Sequence, residues 1–455
     1  MRLLTGHHLL LVTARRALGL VCGHVVWGVG DTKLVRLADT VDRRGTKADE
    51  QRLKRLLQWV DLATGFFWSD TYNLTETLQT NALSPLSGER HPGHLVYCPG
   101  DFESAFAWNA HLSRALRVAL GTETASRWIA PLCHGYFAQT RASMSGREVT
   151  MTVLARRSRH HAGTRFNRRG VNVRGRVANE VETEQIVDAG DAQLTWYEPR
   201  VSSATQLRGS VPLFWSQDTS ALNARPTIVV RGHDVTHSAT AAHFSLVRQR
   251  YCDPAVCLSL IRSQERRPRE SALRGELAAA LHYVNGALPA DRERIACVHW
   301  DFERQMKGSV SADGDDFHGD GDGDGDESEG FGAAARPVRG CARSRRRRRL
   351  VQGRGLRAGH RPGSGSDPWL FSTAPSRVTP LDDSKRLALT CQSGVLRSHC
   401  VDCLDRTNVA QFAWGLAALG CQLERLGVID GDAVGPDSSV AAALMSVYRS
   451  MGDVL

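Results

Sequence analysis

The stretch Ser393-Gly394-Val395-Leu396-Arg397-Ser398-His399-Cys400-Val401-Asp402-Cys403-Leu404-Asp405-Arg406-Thr407-Asn408 sets a cysteine and an arginine five residues apart, with a hydroxyl residue following. Val395-Leu396 reads as the end of an apolar strand. From Thr407-Asn408 onward, Val409, Phe412, Ala413 and Leu416 fall on one face of a helix. A strand, a tight loop and a helix N-terminus together turn backbone N–H groups inward, an arrangement that binds a phosphate dianion. Arg406 is expected to close that ring with a planar two-pronged contact to phosphate oxygens. The same positive field is expected to lower the Cys400 thiol from its usual value of about 8.5, giving a thiolate nucleophile near neutral pH. Thr407 donates to that thiolate, and Asp402 is placed to protonate a leaving oxygen or orient a second-step water. The candidate site is thus catalytic Cys400, Asp402 and Arg406, with Val401, Cys403, Leu404, Asp405 and Thr407 as the phosphate-binding loop. The Cys403 side chain is assigned to packing.

Two other chemistries use a Cys-x-x-Cys pair. A zinc site needs a second pair at suitable spacing, and Cys391 lies too far back to complete one, so no metal ligands are assigned. A thioredoxin-like redox pair follows a first strand and has no use for Arg406. A bare Cys-x5-Arg spacing is common by chance; the full string is far more specific.

The chain around this motif has 455 residues, more than one hydrophobic core usually supports, so two domains are expected. Hydrophobic residues make up 42%, the net charge is +10 and the pI is near 9.3, which favours an acidic partner. An acidic segment at 311–330 and an arginine-rich one at 336–361 nearly cancel, so the excess charge is spread through the body. Eleven cysteines, an odd count without regular spacing, fit a reducing compartment better than a disulfide scaffold. No apolar run reaches the roughly 20 residues of a spanning helix. Leu9–Val12 makes a poor signal-peptide core.

The start reads as β-structure, with strands at 9–12 and 21–29 joined by a turn-like stretch. Residues 49–60 have helical spacing through Leu53, Leu56, Leu57 and Val60. A boundary near residue 140 separates a β-rich domain, 1–140, from an α/β domain, 141–455. In the latter, strand patterns at 149–155, 227–230 and 295–302 mix with helical ones at 242–248 and 273–286. The Gly-Asp repeat at 319–326 and Arg345–Arg349 mark 311–362 as a disordered insert. Arg156, Arg157 and Arg159 open a basic cluster that is either a solvated face or a headgroup and membrane contact. Glu180, Glu182 and Glu184 alternate as on a solvated strand edge.

Arg397–Asn408 closely resembles the signature of the Sac-domain phosphoinositide phosphatases, Arg-x-Asn-Cys-x-Asp-Cys-Leu-Asp-Arg-Thr-Asn. Phe66–Thr75, Trp108-Asn109, Arg156–Gly170 with Val177–Gln185, Arg208–Gln217 and His299–Phe302 resemble other landmarks of that family. The resemblance implies a cysteine-phosphatase α/β catalytic domain behind a smaller β-rich Sac domain. It also implies a phosphocysteine intermediate on Cys400, and the wording around Gln392–Gln411 points to the 5-phosphate of phosphatidylinositol 3,5-bisphosphate. No cofactor is required, and Mg2+ enters at most as a stimulant. The implied partner is a phosphoinositide on a membrane surface and not a nucleic acid. An alternative role is a weakly active scaffold of a lipid-kinase complex. The implied location is cytoplasmic, peripheral on endosomal or vacuolar membranes. Against the family pattern, His399 replaces the usual Asn, and both chain ends look truncated.

Overall fold

The computed structural model describes residues 6–39, 47–83, 102–162, 168–190, 200–217, 227–230, 234–265, 269–302, 366–367, 371–372 and 391–455. The insert at 311–362, with Arg345–Arg349, and Arg165 of the basic cluster lie outside the described residues. In chain order the N-terminal half holds β1 (Gly6–Val21), β2 (His24–Asp39), α1 (Lys47–Gln58), β3 (Phe66–Trp68), α2 (Leu78–Leu83), α3 (Ala110–Leu120) and α4 (Thr122–Ser126). Next come β4 (Cys133–Met144), β5 (Arg147–Arg157), β6 (Val181–Asp188), β7 (Val201–Arg208), β8 (Trp215–Gln217) and β9 (Ile228–Val230). They are followed by α5 (Ser238–Tyr251), β10 (Ala255–Ser259), α6 (Glu270–Ala287) and β11 (Ala296–His299). The short pieces β12 (Ser366–Asp367), β13 (Phe371–Ser372) and β14 (Cys391–Gln392) precede β15 (Val395–His399), α7 (Asp405–Arg425) and α8 (Ser439–Val454).

β1 and β2 form a long antiparallel hairpin that turns at Cys22-Gly23, with φ of 49° and 80°. Two left-handed residues are what a two-residue hairpin turn demands. The turn therefore falls inside the second strand expected from sequence, not between residues 12 and 21. The middle of β1 is exposed and carries no apolar alternation, so only its ladder to β2 makes it a strand.

One mixed sheet organises the molecule, in the order β1-β2-β3-β4-β5-β6-β7-β15-β10-β11, with β13 on β7. It is antiparallel as far as β7 and parallel across β7, β15, β10 and β11. Residue 140 lies within β4, which pairs with β3 at one end and with β5 along its length. The β-rich part and the α/β part thus share one continuous sheet. α5 and α6 cover one face through Phe244, Val247, Leu273 and Leu277, packed on Leu207, Cys257 and Val395. α7 covers the other through Ala410, Ala413 and Trp414, packed on Ala204, Val256, Leu258 and Leu396. Alternate residues of β10 and β15 thus point to opposite cores, as the pleat requires. Both strands are buried on both faces; β10 reads as an apolar run, whereas β15 follows Val395-Leu396 with the buried polar Arg397, Ser398 and His399. α8 packs on α7 and on β4 and β5, and its N-terminus is capped by Ser438 Oγ, which accepts from Ala441 N at 3.2 Å.

Gly394 sets the approach to β15. It has φ of 105°, and a Cβ there would come within 2.4 Å of the Pro254 carbonyl oxygen. Only glycine fits this close pass of two backbones at the start of the β10–β15 ladder.

Candidate active site

β15 sits between two parallel neighbours, with Arg397 opposite Leu207 of β7 and Cys257 of β10. After His399 the chain turns through Cys400–Leu404 into α7. The motif therefore lies at the carboxyl edge of the parallel strands, where open α/β sheets bind ligands.

Three groups meet Cys400 Sγ. The Cys403 N–H donates at 3.0 Å and Thr407 Oγ1 donates at 3.1 Å. The Cys400 thiol donates to Asp402 Oδ1 at 3.0 Å, and the Leu404 N–H holds that same oxygen at 3.3 Å. Cys403 adopts φ of 61°, a left-handed turn that folds the loop back toward the sulfur. Sequence reasoning brought Cys400, Asp402, Cys403 and Thr407 together, and the geometry places all four in contact. Val401 instead packs in the core with Leu207 and Val395. Asp405 is exposed, and with Leu404 it lines a cavity of about 520 Å³ that also touches Arg208, Asn408, Tyr448 and Arg449.

Arg406 is turned elsewhere. Its guanidinium makes a two-pronged contact with Glu270, at 2.9 and 3.3 Å, and donates to the Leu260 carbonyl at 3.3 Å. This arrangement changes the expected state of the nucleophile. Burial pushes the Cys400 thiol well above its ordinary value; Cys403 and the Asp402 carboxylate add to the rise, and Arg406 opposes it. The expected lowering does not hold here, because a carboxylate already engages the arginine and the sulfur is fully buried beside Asp402. Cys400 is a thiol in this state, hydrogen-bonded to Asp402.

Below the loop, the buried Arg397 donates from Nε to His243 Nε2 at 2.9 Å, from Nη1 to His399 Nδ1 at 3.2 Å and from Nη2 to the Ser210 carbonyl. Burial and the Arg397 charge hold His243 well below its ordinary value. His243 is therefore neutral and donates from Nδ1 to the Gly175 carbonyl at 2.9 Å. Arg397 can only donate, so His399 accepts at Nδ1. The histidine that replaces the expected asparagine thus supports the strand beneath the loop.

The basic cluster lands differently from its expectation. Arg156 is fully buried and pairs with Glu182 at 2.8 Å and with Glu184 at 2.6 Å. It is a core ion pair and faces no headgroup, because residues 74–78 cover this face of the sheet: Arg156 donates to the Leu74 and Glu76 carbonyls, and Leu78 N donates to Glu184. Glu182 and Glu184 are likewise buried and do not form the solvated edge read from their alternation. Arg157 is half-buried and donates to the Leu455 carbonyl at 2.9 Å. Arg159 is half-buried and donates to the Ser104 carbonyl. Both stay at the carboxyl edge. Asp301 serves the loop after β10, accepting from Ser263 N and Oγ at 2.6 Å each.

Residues 1–307 match the SacI homology domain. The chain belongs to the SacI homology family. It is 38% identical over 477 residues to "Phosphatidylinositol-3-phosphatase SAC1" of Arabidopsis thaliana, covering 100% of this chain and 50% of that relative. It is 36% identical over 475 residues to "Phosphoinositide phosphatase SAC2" of the same plant, covering 100% and 55%. To "Polyphosphoinositide phosphatase" of Schizosaccharomyces pombe it is 33% identical over 460 residues, covering 100% and 47%. The chain spans about half the length of these curated relatives. The SacI homology match ends before the cysteine motif, whereas the relatives align across it.

Glu270 and His243 were not singled out from sequence, and Arg397 was read only as the first residue of the signature, without a role. Glu270 carries a weak signal as an acidic residue in the first turn of a helix. Nothing in the sequence ties it to Arg406, 136 residues away.

Proposed function

We propose that this SacI homology chain is a phosphoinositide phosphatase that works through a phosphocysteine on Cys400. The observation that carries the reading is the convergence of Asp402, Thr407 and the Cys403 amide on one buried sulfur, at the carboxyl edge of a parallel sheet. In the scheme, substrate phosphate displaces Glu270 as the anion on Arg406. The Cys400 proton passes to Asp402, the sulfur attacks phosphorus in line, and the phosphorus–oxygen bond to the inositol breaks. Asp402 hands its proton to the leaving oxygen. Water then attacks the phosphocysteine, gives a proton back to Asp402 and releases phosphate, with Thr407 and the Cys403 N–H steadying the departing thiolate. The positive charge comes from Arg406 and the loop amides, so the scheme is written without a metal.

The phosphate removed is the 5-phosphate of phosphatidylinositol 3,5-bisphosphate, a choice supported by the wording of the motif region. The name of the relative at 38% identity favours a second reading, removal of a 3-phosphate. Phosphate release from a panel of short-chain phosphoinositides separates the two. Turnover of phosphatidylinositol 3-phosphate but not of the 3,5-bisphosphate would replace the first reading with the second. No turnover of any isomer would leave the scaffold role.

Arg406→Lys carries the test of the clamp. A lysine supplies one point charge where two parallel donors are needed. Turnover is expected to fall about a hundredfold or more, with a smaller change in KM, as for loss of a preorganised oxyanion donor. A variant within about threefold of wild type, well short of that cost, would remove Arg406 from the site.

A further inference from the structure

We infer that the carboxyl edge of the sheet is a membrane-docking face, and that α3 with Trp128 and the loop tips at Val173 and Val235 seats it on an anionic bilayer.

No residue of α3 is buried. Ala110, Ser113 and Arg117 are half-buried and turn toward the body. Arg117 donates to Ser113 Oγ at 3.2 Å and to the Ile129 carbonyl at 3.2 Å. At helical spacing Leu112, Ala115, Leu116, Ala119 and Leu120 then share an arc that meets no core, and all five are exposed. Beside the helix, Trp128 is 81% exposed. A large apolar surface of this kind marks a contact site.

The register places this helix on the same side as the motif. Gly135 at the start of β4 pairs with Arg156 at the end of β5, and Arg157 pairs with Val181. Val181 pairs with Arg208 at the end of β7, and Arg208 pairs with Ser398, two residues before Cys400. The segment that leads into α3 is pinned to that edge. Trp108 N donates to the Leu132 carbonyl, Trp108 Nε1 to the Arg157 carbonyl, and Arg159 N to the Ala105 carbonyl, each at 2.8 Å. The loop from β5 to β6 is held there as well, because Ser210 N donates to the Ala178 carbonyl at 2.8 Å. The tip of this loop exposes Val173 at 82% beside Arg174, and the loop before α5 exposes Val235 at 84%.

Charge selects the occupant. α3 contains His111, Arg114 and Arg117 and no Asp or Glu, and Arg127, Arg168 and Arg174 are exposed on the same edge. An apolar helix face with a cationic flank lies in the interface of an anionic membrane. Single apolar side chains at separate loop tips suit insertion between headgroups better than a groove for a peptide. The inference rests on the lipid-phosphatase reading in one respect, that a docked bilayer would present its headgroups to the edge that holds Cys400. No helix among the described residues is long and apolar enough to cross a membrane, so docking at this edge does not duplicate a span.

The test is flotation of the full chain with phosphatidylcholine vesicles, with and without phosphatidylserine, run beside turnover of a water-soluble short-chain phosphoinositide. Wild type is expected to float with the phosphatidylserine vesicles and to release as salt is raised. Leu112→Glu/Leu116→Glu is expected to cut the bound fraction about tenfold, and Arg114→Glu by about fivefold or more. Short-chain turnover and melting temperature stay at wild-type values in both, since these side chains are exposed. Equal flotation of variants and wild type would overturn the inference. So would wild type that ignores phosphatidylserine vesicles and self-associates through α3. Failure of wild type to hydrolyse any short-chain substrate would sink the phosphatase reading while leaving the flotation result to stand for the docking face.

Discussion

Cys400→Ser yields a chain that melts like wild type but releases phosphate from short-chain phosphoinositides at least about a thousandfold more slowly, the scale seen when a nucleophile is removed. A serine hydroxyl can accept from the Cys403 N–H and the Thr407 hydroxyl as the sulfur does, so the loop keeps its shape. What is lost is a nucleophile and leaving group whose proton Asp402 can take in the proposed scheme, since a thiol gives up its proton far more readily than a hydroxyl. The comparison needs Cys403→Ser alongside it. Cys403 contributes its backbone N–H to the sulfur, and a serine there retains that amide. Most activity should therefore survive, measured as initial rate against melting temperature. A Cys400→Ser chain that turns over at the wild-type rate, or a Cys403→Ser chain that is equally dead, would reassign the nucleophile.

Arg156→Met is expected to cost about 3–5 kcal/mol of stability at pH 7, because it leaves buried carboxylates without their cation. Arg156 contacts Glu182 and Glu184, and it also donates to the carbonyls of Leu74 and Glu76. Arg250 holds Glu182 from the other side at 2.6 Å, so Glu182 keeps one partner, and the larger loss falls on Glu184. The pH dependence gives the cause a signature. Burial alone would raise Glu182, but Arg250 and Arg156 together hold it down at about 2. A carboxyl held below its unfolded value of about 4.3 contributes stability above that value and loses it as the pH falls toward 2. The gap between wild type and variant, read by urea denaturation, is therefore full at pH 7 and narrows below about pH 4.3. A gap that is absent at pH 7, or constant down to pH 3, would mean that the ion pairs do not support the fold.

Local patterns made much of this protein legible. The order of Val395-Leu396, a short loop and the apolar face from Val409 to Leu416 specifies strand, turn and helix through neighbours alone. That order brings Cys400, Asp402, Cys403 and Thr407 within reach of one another, because all four lie within eight residues. The helix at 47–58 and the strands at 147–157 and 395–399 carry periodicities that survive without tertiary help.

The rest depends on partners far away in the chain. The middle of β1 has no apolar alternation, and hydrogen bonds to β2 alone make it a strand. Arg156 and Glu182 look like surface charges in sequence, because charge in a strand usually points to water. They are core residues because the segment at 74–78 and Arg250 lie over this face of β5 and β6, and each charge finds its counter-ion there. The motif alone set the candidate nucleophile, its hydroxyl donor and its carboxylate. Only the tertiary structure brought Glu270 onto Arg406 from 136 residues away and buried Cys400 completely. A residue's type is local, but its ionisation depends on the solvent and charges that surround it, and those are set by the whole fold.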